Sequence, residues 1–501
     1  MKLFTTGQIR RWDEATILEE RIQSVDLMER AAKACAESIL GLNPGKVPVH
    51  IFCGPGNNGG DGLAITRLLQ GYDFQVHGYL LALSAEPSQD CQTNLDRLKK
   101  ENIPVTYIRN PPDLPSFSSN TLIIDALFGT GLNKPLHGLA ATVVQFLNDQ
   151  PATRIAIDIP SGLMSDSPTQ QGNAIFKADH TLSFQVYKRS FLFADSEAFT
   201  GTIHIMDIGL SKRFYQEEPC LWEMTEAGEI RQMIHPRKLF SHKGNFGHAA
   251  LVAGSKGMMG AAVMAAGACL QSGTGKLTCY VPSTGYEIMQ TARPEAMCRV
   301  TGNNEIGELE GTDSFSALGI GPGLGQADSL PQALQQLFEK PPARLVMDAD
   351  ALNVLENNEA LLKRIPEDTL ITPHPKEFDR LAGPSGDDWE RLDKAIRLSA
   401  RHSLFIVLKG HFSRIVCPDG MVYFNPTGNP GMAKGGSGDV LTGLLTGLLA
   451  QGYQPREAAL IGTYLHGLAG DLAANLKTTR GMTALDILDQ IPHAWALAES
   501  A

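Results

Sequence analysis

The chain has 501 residues, of which 43% are hydrophobic and 19% charged, the profile of a folded globular protein with material for about two to four domains. A net charge of −11, from 43 basic and 54 acidic side chains, argues against nucleic acid as a partner, while anionic small ligands stay open because backbone amides bind them without a basic surface. No run reaches the roughly 18 apolar residues of a membrane span, and "MKLFTTGQIRRWDEAT" lacks the apolar core of a secretion signal. No membrane partner and a cytoplasmic location are therefore expected. The eight cysteines are scattered without a C-x-x-C pair and read as incidental thiols of a reducing compartment.

Short apolar runs predict strands over 47–54, 74–81, 103–108, 121–129, 154–162 and 180–186. Helical periodicity fits 24–40, 61–70, 87–100 and 137–148. Such alternation predicts a mainly parallel sheet covered on both faces. It fails over "LSKRFYQEEPCLWEMTEAGE" (210–229), a polar stretch that reads as a junction without a strand pattern. Strands resume over 247–254, 316–323, 344–350, 368–375 and 403–410, with long helices over 260–272, 389–402 and 436–451. There is no internal repeat. Two separate α/β domains are expected, over 1–212 and 222–501.

In the first domain, "GPGNNGGDG" (54–62) follows a strand and opens a helix. Its glycines allow close approach of a ligand, and the helix start offers free N–H groups to phosphate. It is neither a G-x-G-x-x-G fingerprint nor a P-loop. Asn58 follows one strand, Asp125 ends a second, and Asp158 and Ser161 follow a third. The carboxyl ends of parallel strands share one edge, where ligands bind. Asn58, Asp125 and Ser161 supply only oxygen donors, which suit a hard cation rather than zinc. Asp158 reads as a general acid or base if the cleft raises its pKa. Each aspartate has an alternative as a turn cap.

In the second domain, "GNPGMAKGGSGDVLTG" (428–443) places Asp439 where a glycine run meets an apolar helix. The "GGSG" amides form a positive pocket for a phosphoryl group, and Asp439 beside it can take a proton from the acceptor hydroxyl. The alternative is that Asp439 caps the helix. "GIGPGLG" (319–325), Asp348 and Asp350 in "VMDADALN", His374 in "TPHPKEF", Lys409 in "VLKGHFSR" and Lys243 in "SHKGNFGH" add polar groups that together outline a nucleotide site.

"GPGNNGGDG", "DALFGTGL" and "DIPSG" resemble the YjeF-type NAD(P)H-hydrate epimerases. "HKGNFGHAALVAGS", "GIGPGLG", "DADALN", "TPHPKEF" and "NPGMAKGGSGDVLTG" resemble the ADP-dependent NAD(P)H-hydrate dehydratases. The resemblance spans nearly the whole chain and implies a Rossmann-like three-layer domain followed by a ribokinase-like α/β domain. It implies repair of NADH and NADPH hydrated at C6 of the nicotinamide ring. The first domain would interconvert R and S epimers. The second would dehydrate the S form by phosphorylating the C6 hydroxyl from ADP, releasing AMP and phosphate. Carried over by motif, Asn57, Asn58, Gly59, Gly60, Asp61, Gly129, Thr130, Gly131, Leu132, Asn133, Lys134, Pro135 and Asp158 would contact the hydrate in the epimerase. Potassium would be held by Asn58, Asp125 and Ser161. In the dehydratase, Ala261, Gly323, His374 and Asp439 would contact the hydrate. Lys409, Gly410, His411, Phe412, Ser413 and Gly438 would contact ADP, which brings Mg2+. His411, Phe412 and Lys134 depart from the family's usual residues and put those contacts in doubt. A homo-oligomer is also expected. Two rival readings remain: a small-molecule kinase that releases a phosphorylated product, and a first domain that serves only as a binding module.

Overall fold

Along Val49–Cys53 (β1), Val49, Ile51 and Cys53 belong to one buried cluster and Phe52 to another. A strand buried on both faces needs a parallel sheet with helices on either side. The computed structural model, which describes residues 1–42, 45–83, 86–110, 113–170, 172–325, 328–356 and 358–500, has this arrangement. The chain divides into two units, Lys2–Cys220 and Met1 with Leu221–Ala501.

In the first unit β1 is joined by Val76–Leu81 (β2), Val105–Ile108 (β3), Leu122–Ala126 (β4), Thr153–Ile157 (β5), His180–Phe184 (β6) and Thr202–Met206 (β7). All neighbours run parallel, in the order β3-β2-β1-β4-β5-β6-β7. Helices Ser24–Gly41, Asn57–Gly71 and Gln89–Lys100 supply Ile39, Leu63 and Leu98 to one core. Gly138–Asn148 supplies Val143 and Leu147 to the other. Helix Thr6–Glu20 and β7 were not among the expected elements. The helix buries only Trp12 and Thr16, too few for an apolar stripe. β7 is half-buried and carries a histidine at its centre.

The second unit holds Trp222–Met224 (β8), His248–Val252 (β9), Lys276–Val281 (β10), Met297–Val300 (β11), Ala317–Ile320 (β12), Leu345–Met347 (β13), Leu370–Ile371 (β14), Phe405–Leu408 (β15), Arg414–Val416 (β16) and Val422–Phe424 (β17). Their order is β11-β10-β9-β12-β13-β14-β15-β16-β17-β8, and only β16 runs antiparallel to its neighbours. β8 lies in the stretch expected to lack a strand. Three residues are too short to show a period, and the ladder comes from β17. The apolar helix Ser437–Ala450 is buried through most of its length against Met259–Gln271. A Cβ on Gly443 would lie 1.9 Å from the Ala265 carbonyl oxygen, so the two backbones meet where only glycine fits.

In both sheets the strand order turns from falling to rising between two central strands, β1 and β4 in the first and β9 and β12 in the second, where β8 also joins the far edge beside β17. Each reversal opens a crevice at the carboxyl ends of the strands. Among the described residues no helix is long and apolar enough to cross a membrane, and all eight cysteines are free thiols.

The first unit runs eight residues beyond the expected end at 212, to Cys220. Helix Lys212–Glu217 brings Phe214 and Tyr215 against Phe4 and Trp12, with ring centroids 5.4 to 6.3 Å apart. A fragment ending at 220 is expected to unfold cooperatively in denaturant. One ending at 211 loses these rings and at least about 2 kcal/mol. Equal stability of the two fragments would contradict this packing.

Candidate active sites

The first crevice is lined from the carboxyl ends of β1, β4, β5 and β6 and from helices Thr6–Glu20, Ser24–Gly41 and Asn57–Gly71, and has a volume of about 710 Å3. A Cβ on Gly59 would lie 1.7 Å from the Gly54 carbonyl oxygen, so the turn after β1 folds back on itself at van der Waals limits. Asn58 is buried there, and neither its Nδ2 nor its Oδ1 has a hydrogen-bond partner. A buried amide left unpaired costs roughly 1–3 kcal/mol and marks a place where a ligand belongs. Asp125, at the end of β4, is fully buried. Its Oδ1 accepts from the Leu127 N–H at 3.1 Å and the Ser161 hydroxyl at 2.7 Å, and its Oδ2 accepts from the Ser161 N–H at 2.8 Å. Burial pushes Asp125 up to about 6 against the pull of these bonds. The turn-cap reading of Asp125 therefore holds alongside its pairing with Ser161.

Asp158 follows β5 in a left-handed conformation, φ 66°, its N–H donating to the Leu182 carbonyl at 2.7 Å. Its Oδ1 lies 2.9 Å from Nζ of Lys188, a lysine with no exposed side-chain surface, and its Oδ2 accepts from the Thr130 N–H at 3.3 Å. A Cβ on Gly129 would lie 3.3 Å from both the Asn58 side chain and Asp158 Oδ2, so these groups share one corner. Asn57, Asn58, Asp61, Gly129, Thr130, Gly131, Leu132 and Asp158 line the crevice. Gly59 and Gly60 lie buried beneath it, and Asn133, Lys134 and Pro135 are not part of its lining.

In the second unit Asp348 follows β13 and is 1% exposed. Its Oδ1 is 2.7 Å from Nζ of Lys409, and its Oδ2 accepts from the Thr442 hydroxyl at 2.7 Å. A Cβ on Gly438 would lie 3.1 Å from Lys409 Nζ, which sets this pair beside the first turn of helix Ser437–Ala450. The helix cap is Gly436, at φ 95°, and not Asp439, which stands third in the helix. Among the described residues the Asp439 carboxyl makes no hydrogen bond, so the capping alternative falls. Burial, with Asp348 next, pushes Asp439 up to about 6, opposed by Lys409.

Gly323 takes φ 61°, and a Cβ there would lie 3.0 Å from that of Ala261, so these two predicted contacts form one wall. His374 is an exposed helix cap rather than a free loop residue. Its Nδ1 accepts from the Lys376 and Glu377 N–H groups at 3.1 and 3.2 Å, which leaves the proton on Nε2. Lys409 to Ser413 form the turn between β15 and β16, closed by Gly410 and Ser413, with the His411 ring packed on Phe412 at 4.6 Å. Lys243 does not join this site. It lies before β9, and a Cβ on Gly275, ahead of β10, would lie 1.8 Å from its carbonyl oxygen, at the amino edge of the sheet.

Several residues escaped the sequence reading. Lys188 lies four residues past its strand in no motif. Asp471, midway along helix Pro455–Gly481, accepts from the Gly428 N–H and the Asn429 amide, both at 2.9 Å, and so anchors the glycine loop. His466, buried and lowered to about 4 by burial, lies 2.9 Å from the Ser437 carbonyl.

Residues 24–190 match the family described as YjeF-related protein N-terminus, and 249–493 match the family described as NAD(P)H-hydrate dehydratase. A bifunctional NAD(P)H-hydrate repair enzyme of Moorella thermoacetica is 34% identical over 511 residues, covering 98% of this chain and 96% of its own. The chain belongs to the bifunctional NAD(P)H-hydrate repair enzymes. The Escherichia coli K12 member is 34% identical over 471 residues, covering 93% and 88%. An ADP/ATP-dependent NAD(P)H-hydrate dehydratase of Bacillus subtilis, co-crystallised with ATP and Mg2+, is 33% identical with a TM-score of 0.50, covering 55% of this chain and 99% of its own. Family membership gives the chain an epimerase domain first and a dehydratase domain of ribokinase-like fold second.

In this family member the buried Asp158–Lys188 pair generates a prediction. Lys188→Met leaves a buried charge without its partner, a loss of about 3–5 kcal/mol for the first unit. Chemical denaturation of a fragment ending at 220 measures it. A change under about 1 kcal/mol would show that the pair is solvated.

Proposed function

We propose that the first unit interconverts the R and S hydrates of NADH and NADPH, and that the second dehydrates the S hydrate at the expense of ADP, giving AMP and phosphate. The observation that carries the second half is Asp439. Among the described residues it is a carboxyl without a hydrogen bond, beside the Asp348–Lys409 ion pair, at a helix start rich in glycine. Asp439 takes the proton of the C6 hydroxyl as the oxygen attacks the terminal phosphoryl group. Amides of Gly436 to Gly438 and the helix dipole take up charge on that group. Lys409 meets the nucleotide phosphates. The C6 oxygen then leaves with phosphate, a proton leaves C5, and the double bond of the reduced nicotinamide returns. Ala261, Gly323 and His374 would hold the hydrate, and Gly410, His411, Phe412 and Ser413 the adenine nucleotide. Among the described residues no three His, Cys, Asp or Glu side chains gather around a metal position, so Mg2+ would enter on the nucleotide phosphates.

In the first unit the oxygen donors Asn58, Asp125 and Ser161 fit a monovalent cation. The unpartnered Asn58 Oδ1 is the observation that favours this. Potassium there would supply a fixed positive charge beside the dinucleotide. The free thiols suit a reducing cytoplasm. Adjacent Leu239 and Phe240, 90% and 93% exposed, support a homo-oligomer, since this much apolar surface favours burial against another copy.

Asp439→Asn is expected to slow ADP-dependent dehydration of the S hydrate by roughly 100- to 10,000-fold while sparing epimerisation. A carboxylate base with a raised pKa works only above it, so wild-type dehydration should decline as pH falls through about 6. Dehydration by the variant at near wild-type rate, read as recovered reduced-nicotinamide absorbance, would remove Asp439 from the chemistry. Exchange of potassium for tetramethylammonium should slow epimerisation, and so should Asp125→Ala. Full epimerase rate in potassium-free buffer would exclude the cation.

A further inference from the structure

The epimerase crevice is walled on one side by helix Thr6–Glu20, which precedes the matched segment 24–190. Its side chains pin it firmly. The Trp12 Nε1–H donates to the Ser211 carbonyl at 2.8 Å, and Thr16 Oγ1 donates to the Trp12 carbonyl at 2.8 Å while accepting from the Ser211 N–H at 2.9 Å. Between these anchors stands Asp13, which lines the crevice together with Asp61, Asp158 and Lys188. Among the described residues the Asp13 carboxyl makes no hydrogen bond, whereas Asp158 is held by Lys188 and the Thr130 N–H. Burial pushes Asp13 up to about 7, Asp158 next in the same sense, with Lys188 opposing and Glu14 adding to the rise. Arg10 and Glu14 from the same helix, Asp61 from Asn57–Gly71, and Asp90, Asp158 and Lys188 from other elements are the charged groups that line this space. Asp158 is thus ion-paired, whereas burial raises Asp13 to about 7 and Asp61 well above the usual carboxylate range, so a carboxylate and proton-holding carboxyls face one space, the division of labour that proton transfer requires.

We infer that Asp13 is the acid partner of Asp158, giving a proton to ring nitrogen N1 while Asp158 takes one from the C6 hydroxyl. The inference rests on the reading of this crevice as the epimerase site. The hydrate is a hemiaminal at C6. As Asp158 removes the hydroxyl proton, the C6–O bond becomes a carbonyl, the C6–N1 bond breaks, and its electron pair goes to N1, which Asp13 protonates. The aldehyde turns about the C5–C6 bond. N1 then attacks its other face, Asp13 takes back the N1 proton, and Asp158 returns its proton to the oxygen. Nothing is oxidised or reduced, and both carboxyls end as they began. Lys188 is a positioning residue that holds the Asp158 carboxylate through its ion pair.

The test uses the full chain with pure R hydrate, no nucleotide, and chromatographic separation of epimers between about pH 5.5 and 8.5. Wild-type kcat should fall as pH rises through about 7, where Asp13 loses its proton. Asp13→Asn should lower kcat by roughly 100-fold or more with KM little changed, and abolish that alkaline fall. Asp13→Glu should restore part of the rate and the alkaline fall, which a merely structural role would not do. Asp13→Asn with a rate within threefold of wild type, or with the alkaline fall intact, overturns the assignment. A loss in Asp13→Asn that appears as raised KM, with no recovery in Asp13→Glu, also overturns it, in favour of packing. Wild type that does not epimerise at all sinks the epimerase reading itself and the role of Asp13 with it.

Discussion

A carboxylate taken out of water at the end of a buried parallel strand must find a cation or a set of donors, because desolvation costs several kcal/mol per ion. Both units meet this constraint with a lysine that follows another strand of the same sheet. Asp158 after β5 is paired at 2.9 Å with Lys188 beyond β6, and Asp348 after β13 at 2.7 Å with Lys409 after β15. Each pair fastens strand ends together at the edge where the crevice opens. In the second unit Thr442 extends the fastening to helix Ser437–Ala450, so the helix start and the strand ends hold one arrangement.

Against that background Asp13 in the first crevice and Asp439 beside the second pair stand without a cation of their own, as does Asp61 in the first crevice. Asp13 rises to about 7 and Asp439 to about 6, burial first and the paired aspartate next. The buried pair thus tunes its neighbour. It supplies negative charge that disfavours ionisation nearby while its lysine keeps that effect moderate. A carboxyl poised near neutral pH is what general acid–base chemistry uses. Two unrelated sheets reach it by the same arithmetic of burial and charge.

The strand ends and glycine turns were legible in the sequence because their signals are local. A short aliphatic run that stops at Asp125, Asp158 or Asp348 marks a strand and its edge, and parallel topology then brings such residues together. The helix start at Ser437 followed within one residue from the glycines and the apolar run behind them, whereas the helix expected from 61 begins four residues earlier, at Asn57, because Asn57–Gly60 show no apolar period. What stayed hidden depends on tertiary context. Lys188 and Asp13 sit in ordinary polar surroundings, and only burial distinguishes them from surface charges. Asp471 acts from midway along a helix whose pattern says nothing of the loop it holds. β8 and β16 are three residues each and take their ladders from neighbours. Lys243 was misplaced although it stands ahead of β9: in a parallel sheet a residue that precedes its strand lies at the amino edge, away from the carboxyl edge where ligands bind.

In the proposed reaction the second unit removes water by first making the C6 oxygen part of a phosphate. The most direct measurement places 18O in the C6 hydroxyl of the S hydrate, runs ADP-dependent dehydration to completion, and weighs the inorganic phosphate by mass spectrometry. One 18O atom in the released phosphate is the predicted result. Unlabelled phosphate, with the label in water, would contradict the phosphoryl-transfer account and leave the Asp439 helix start as a binding site alone.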